Sequence, residues 1–343
     1  MTRFIGLDAH DASCTFAVVG PTGRRIRSNV VETNGQCLVE YLKLIKKPRY
    51  LCLEEGNLSR WLYEILGPHV DKITVTCPGE HRGNKSDDID AFELAHKLRT
   101  NGIKIRIYKG YGQYRKLREL VRVHQKVVAD HVRTQNRLSC LYRSRGLNAS
   151  VIEESYPERR LPQQLRTAAK IQRKERDLIA EVRKEAEVSL IAEAKKHPIV
   201  ELLKSLPGIG TIRATQIVAT VINPNRFRRN RQFWAYCGLA IVTRTSSEWV
   251  ADRDGQWRRA RVPMPRGLKH GNRILKNVFK GAASTVIMRS SDEPLYADYS
   301  RIVEAGTKPN LAKITIARKL AAIAIAMWKN EEAYNPQKYR NQS

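Results

Sequence analysis

Four acidic residues stand where an α/β fold could bring them together. Asp8 closes the apolar run Phe4-Ile5-Gly6-Leu7, Glu54 closes Tyr50-Leu51-Cys52-Leu53, and Asp87 and Asp90 lie in Lys85-Ser86-Asp87-Asp88-Ile89-Asp90-Ala91. Carboxylate oxygens are hard ligands that suit Mg²⁺, with Mn²⁺ the other candidate. Two such ions can clamp both sides of a phosphodiester during displacement. Singly, each acid has a plainer role: Asp87 can favour a helix N-terminus, Asp8 can cap a turn, and Glu54 with Glu55 can be exposed acids before Gly56. Together, in a very basic chain, they point to metal-assisted cutting or rejoining of nucleic acid. Asp11, Glu55 and Asp88 are the neighbours most easily confused with them.

Strands and one helix must position these acids. Over the first hundred residues short apolar runs alternate with amphipathic stretches, which predicts an α/β domain. The reading places strands at 4–7, 15–19 and 26–31, a helix at 35–45, a strand at 50–54, a helix at 58–66 and a strand at 72–77. A helix over 87–99 follows, with Ser86 as its N-cap. Three strands in a meander followed by strand-helix units is the order of ribonuclease-H-like folds. In such a sheet the first and fourth strands are neighbours, so Asp8 and Glu54 meet, and the three-residue spacing puts Asp87 and Asp90 on one side of a helix. Carboxylates packed this closely repel one another unless a cation offsets them.

Lys and Arg number 62 against 34 Asp and Glu, a formal charge of +28 that calls for a polyanionic partner. Six cysteines, at 14, 37, 52, 77, 140 and 237, form no CxxC pair and read as buried free thiols of a reducing compartment. The most apolar segment, 320–328, is too short to span a bilayer. These features place the protein in the cytoplasm with no membrane partner.

From about Tyr111 the texture changes to long charged helices, one over the apolar positions Leu117 to Leu141 and a second over about 165–195, separated by Arg145-Gly146-Leu147-Asn148 and the 157–162 segment. They suggest a helical hairpin or coiled coil, with His124 and His131 interrupting a clean heptad. The chain thus divides into an α/β domain at 1–108, a helical segment at 109–198 and a mainly α domain at 199–343. In the last, Leu206-Pro207-Gly208-Ile209-Gly210-Thr211 reads as a helix-hairpin-helix turn, where Gly208 and Gly210 let backbone amides approach a phosphate. Helices are expected at 211–221, 272–288 and 311–329. Arg226, Arg228, Arg229, Arg231, Arg258 and Arg259 supply phosphate forks around Trp249 and Trp257, which can stack on a base or simply pack. Ser246 and Ser247, by chemistry alone, read as exposed turn residues, because a serine nucleophile needs a base or metal beside it.

In order, Gly-Leu-Asp8, Cys-Leu-Glu54, Lys-Ser-Asp87-Asp-Ile-Asp90-Ala, Leu-Pro-Gly-Ile-Gly, and Tyr-Cys-Gly-Leu with a serine eight residues after the glycine resemble the DEDD transposases of the IS110 insertion-sequence family, relatives of the Piv invertases. The resemblance covers nearly the whole chain. It implies a RuvC-like domain whose Asp8, Glu54, Asp87 and Asp90 hold Mg²⁺, a coiled-coil segment, and a transposase domain with Ser246 as nucleophile. It also implies donor and target DNA as substrates, a structured bridge RNA as guide, and a homodimer or homotetramer. The chain departs from the family pattern with Gly-Leu-Ala-Ile, Ser-Ser-Glu and Glu-Glu-Gly where Gly-Leu-Thr-Pro, Ser-Gly and Glu-Ala-Thr-Gly are usual. Two other readings stay open: a RuvC-like nuclease or invertase without serine chemistry, and a nucleic-acid-binding protein without catalysis.

Overall fold

The computed structural model describes residues 1–78, 86–104, 106–107, 113–147, 161–242, 249–259 and 267–337. The chain forms two compact units, Met1–Gly110 and Tyr111–Ser343, the first built on a mixed sheet and the second mostly helical.

The first unit holds β1 (Arg3–Ala9), β2 (Ser13–Val19), β3 (Arg25–Glu32), α1 (Gly35–Lys43), β4 (Arg49–Glu54), α2 (Ser59–Leu66), β5 (Lys72–Thr76), α3 (Asp87–Arg99) and β6 (Arg106–Ile107). The strands lie in the order β3-β2-β1-β4-β5-β6. β1, β2 and β3 are antiparallel neighbours, whereas β4 runs parallel to both β1 and β5. Ile5, Leu7, Leu51 and Leu53 share one core with Leu38 and Leu42 of α1 and Leu62 and Leu66 of α2. Alternate residues point the other way: Phe4, Tyr50 and Cys52 pack with Leu94 and Leu98 of α3.

Gly6 sets how closely α3 can approach. A Cβ at this position would lie 1.8 Å from the Ala91 carbonyl oxygen and 2.7 Å from the Ala95 amide nitrogen. Helix backbone therefore rests directly on strand backbone, with no side chain between. Opposite the acids, at the start of β4, Arg49 is buried and donates to the carbonyls of Lys43 and His69 at 2.8 and 3.1 Å.

The second unit opens with α4 (Arg115–Arg143) and α5 (Gln163–Ala194). Lys116 pairs with Glu193, Arg137 with Glu175, and Arg173 donates to the Tyr142 hydroxyl. Partners thus descend along α5 as residues ascend along α4, which makes the pair antiparallel. His124 is buried on α4, and burial lowers its pKa. The remaining core joins α6 (Pro198–Lys204), α7 (Thr211–Val221), α8 (Asn230–Tyr236), α9 (Arg273–Arg289), α10 (Pro294–Glu304) and α11 (Pro309–Asn330). The sequence reading has two closing helices and no α10. Pro294 sits in the first turn of α10, where proline's missing N–H costs nothing. A hairpin of β7 (Trp249–Ala251) and β8 (Trp257–Arg259) was likewise not foreseen.

All six thiols are free, and Cys14, Cys52 and Cys237 are buried. Burial pushes the Cys52 thiol up to about 12. Cys77 and Cys140 are exposed, against the expectation of burial: Cys77 falls past the end of β5, and Cys140 lies between the inward-facing Leu138 and Tyr142 of α4. Among the described residues no helix is long and apolar enough to cross a membrane.

Gly6→Ala should be among the most damaging single-methyl changes in the first unit, because backbone and not a movable side chain meets the new atom. We expect a loss of about 3 kcal/mol or more, read as a lower thermal midpoint together with lost amide-exchange protection in β1 and α3. An unchanged midpoint would refute the contact.

Candidate active site

Asp8 lies inside β1, beyond the end the sequence reading gave that strand, and shares its sheet face with Gly6 and Phe4. Glu54 ends β4 and shares a face with Cys52 and Tyr50. The parallel register pairs Gly6 with Cys52 and Leu7 with Leu53, so Asp8 and Glu54 follow side by side at the carboxyl ends of adjacent strands. That edge is where open α/β sheets bind ligands. Both acids line a cleft of ≈ 260 Å³ together with His10, Asp11, Glu55 and Ser59.

Helix α3 brings the next acid to this edge. The Ser86 hydroxyl accepts the Ile89 amide at 3.3 Å, so Ser86 caps the helix as the sequence indicates. Asp87, Asp88 and Asp90 occupy its first turn, where the helix dipole favours negative charge. The three diverge from there. Asp87 faces His10, with His10 Nε2 3.5 Å from its Oδ1 and 3.2 Å from Asp8 Oδ2. The atoms of Asp8, His10 and Asp87 that could ligate an ion all lie within 4.8 Å of one another. Asp88 turns instead to Arg25 and Ser28 of β3, and the Arg25 hydrogen bond, then that of Ser28, holds its carboxyl below the usual range. Asp90 is half-buried one turn beyond Asp87, outside the three-residue cluster.

Sequence reasoning missed His10. The signal was present in Asp8-Ala9-His10, since alternation along an extended chain returns the imidazole to the side of Asp8. Asp8 is 20% exposed and Asp87 58% exposed in their side chains, so one acid is seated in the sheet and the other reaches in from solvent. Of the neighbouring acids, Asp11 and Glu55 line the same cleft, and Glu55 also accepts from the Ser59 hydroxyl at 3.3 Å.

In the second unit, Gly208 and Gly210 lie in the turn between α6 and α7. Gly208 has φ +77°, and a Cβ there would meet the Ala282 carbonyl oxygen at 2.5 Å, so this glycine seats the turn against α9; Gly210 faces open space. Arg213 donates to the Gly208 carbonyl at 2.6 Å and to Thr285 at 3.0 Å, bracing that turn. Arg226 lies over the rings of Phe227 and Tyr236, at 4.9 and 4.8 Å. Arg228, Arg229 and Arg231 are exposed, and Arg258 pairs with Asp252 at 2.6 Å. Arg259 is on β8, its side chain outside the described residues, and Ser246 and Ser247 also fall outside them. The chain on either side of that region is pinned together: Ile241 bridges Leu268, Lys269 donates to the Ala240 carbonyl at 2.8 Å, and Asn272 donates to the Tyr236 carbonyl at 2.7 Å.

Comparison with known proteins bears on both units. Residues 5–143, which include all four acids, match a transposase family model of the IS110 DEDD type, and residues 200–300 match the model of the transposase IS116/IS110/IS902 family. A stretch of 150 residues is 27% identical to the insertion element IS110 uncharacterized 43.6 kDa protein of Streptomyces coelicolor, covering 44% of this chain. The match spans 33% of that relative's length. With one model on the sheet that carries the acids and another on the helical part that carries the glycine turn, the chain belongs to the IS110 family of transposases.

Proposed function

We propose that the protein is a DNA transposase, a site-specific recombinase of an insertion sequence, whose first unit is a RuvC-like, ribonuclease-H-like metal-dependent domain. The observation that carries the reading is the placement of Asp8 and Glu54 at the ends of adjacent parallel strands, with Asp87 delivered to the same edge by α3. The strand order, a three-stranded antiparallel meander continued by parallel β4 and β5, supports the fold assignment. Asp8, Glu54, Asp87 and Asp90 would hold Mg²⁺ or Mn²⁺, and the donor set fits: hard carboxylate oxygens, two of them at an open cleft, with His10 beside Asp8 and Asp87 as an outer-shell partner. A divalent ion bound there supplies charge neutralisation at the scissile phosphate and activation of the attacking group.

The chain's own residues set the rest. Asp8 is fixed by the sheet, and Asp88, tied to Arg25 and Ser28, anchors the first turn of α3, from which Asp87 reaches His10 at the cleft. Ser246 attacks phosphorus in this proposal, displacing the 3′ or 5′ oxygen of the cut strand and leaving a phosphoserine link that the exchanged strand then reverses. Ser246 lies far from the acids in the sequence, and a dimer or tetramer, which can hold several DNA ends at once, is the assembly this reading calls for. Exposed Arg228, Arg229 and Arg231 grip donor and target backbones, and a bridge RNA supplies target choice by base pairing.

Titration with Mg²⁺ or Mn²⁺, followed by calorimetry and by the thermal midpoint, should show binding that Asp8→Asn and Glu54→Gln weaken by more than the roughly 10–100-fold typical of outer-shell changes. His10→Ala should cost no more than that outer-shell range. Undiminished binding in Asp8→Asn would end the metal assignment.

On a denaturing gel with labelled donor and target DNA, RNA transcribed from the element's ends, and Mg²⁺, wild type should give a DNA-linked protein band that both Ser246→Ala and Asp8→Ala lose. Cleaved DNA without linked protein, unaffected by Ser246→Ala, would identify a hydrolytic RuvC-like nuclease instead. DNA binding with no cleavage under any condition, unchanged by loss of the acids, would identify a binding protein.

A further inference from the structure

We propose that the β7–β8 hairpin is a stacking platform for unpaired DNA bases, carried by Trp249 and Trp257. The antiparallel register pairs Trp249 with Arg259, Val250 with Arg258 and Ala251 with Trp257. Residues directly opposite share a face, and so do residues two apart on one strand. Trp249, Ala251 and Trp257 therefore lie on one side of the ribbon, with the two indoles diagonal across the small Ala251. They are 57% and 68% exposed. The hairpin is braced at its turn rather than by a core: Asp252 Oδ1 accepts the amides of Asp254 and Gln256 at 3.0 and 2.9 Å, and Asp252 pairs with Arg258. It stands between the 243–248 segment, which contains Ser246, and the pinned return of the chain at Leu268.

Two large aromatic rings left this open to water on one face mark a recognition surface rather than an unfinished core. Charge selects the occupant. The chain carries +28, and Arg253, Arg258, Arg259, Arg261 and Arg266 lie in or beside the hairpin sequence, so a polyanion with flat apolar faces fits both features. That description is single-stranded nucleic acid: aromatic side chains stack on bases while arginines follow the phosphates. A duplex hides its base faces within its own stack, so the indoles discriminate between paired and unpaired strands. The choice of DNA over RNA rests on the transposase reading, in which a strand near Ser246 is opened and exchanged.

The test is binding of the full chain to a labelled mixed-sequence oligonucleotide, followed by fluorescence anisotropy, as single-stranded DNA, as duplex DNA and as single-stranded RNA. Trp249→Ala and Trp257→Ala should each weaken single-stranded DNA binding about tenfold and leave duplex binding within about twofold. Trp249→Phe and Trp257→Phe keep an aromatic face and should retain most of the affinity, while losing part of the tryptophan quenching that wild type shows on binding. Unchanged single-stranded affinity in the alanine variants, an equal loss on duplex, or a loss seen with RNA alone would each overturn the proposal. The Phe variants keep the test valid if an alanine variant misfolds. Metal binding by Asp8 and Glu54 is read separately, so failure at the hairpin leaves the transposase reading standing, and failure of the metal titration is recognised as such.

Discussion

The contact on which the site depends is backbone against backbone. Gly6 lacks the one atom that would hold α3 away from β1, and the Ala91 carbonyl occupies the space where a Cβ would be. A strand residue two positions on, Asp8, then lies under the start of the same helix, and the imidazole of His10 spans the gap to Asp87. Were α3 raised by the thickness of a methyl group, Asp87 would move away from the strand acids by a comparable distance. Metal coordination tolerates shifts of a few tenths of an ångström, not more. The glycine is therefore as much a part of the site as the acids, although it carries no chemistry.

The second unit uses the same economy of atoms twice. Gly208 lets the turn between α6 and α7 rest on Ala282 of α9, and the Gly238 turn meets Gly271, where an added Cβ would lie 2.4 Å from the Gly238 amide nitrogen. The latter contact closes the base from which the Ser246 segment and the tryptophan hairpin depart.

Much of the first unit was legible in the sequence because its signals are local. Apolar runs ending in an acid mark β1 and β4, and Ser86 before three acids marks the start of α3. The parts that were not legible depend on contacts distant in sequence. Asp88 is indistinguishable from Asp87 by type and neighbourhood, and only the presence of Arg25 and Ser28 on β3 separates their fates. His10 was overlooked because it falls beyond the strand's apolar run. The hairpin was overlooked because Trp249-Val250-Ala251 is a three-residue strand exposed throughout, too short for alternation to register. In the helical unit, α10 was not foreseen, although Pro294 stands in its first turn, a position that proline favours.

Charge explains why the acids are separated into two groups. Asp88 pairs with Arg25 and accepts from Ser28, partly exposed contacts that tie the start of α3 to β3. Asp8 and Asp87 are joined only through His10 among the described contacts, and Glu54 opens to the same cleft. Both carboxylates meet the same imidazole nitrogen, Nε2, at 3.2 and 3.5 Å, so they share one contact where Asp88 has two of its own. Among the described contacts Asp8 and Asp87 meet an imidazole, whereas Asp88, one residue along the helix from Asp87, meets a guanidinium. That difference between adjacent carboxylates of the same type is the physical argument for reserving Asp8 and Asp87, and not Asp88, for a cation.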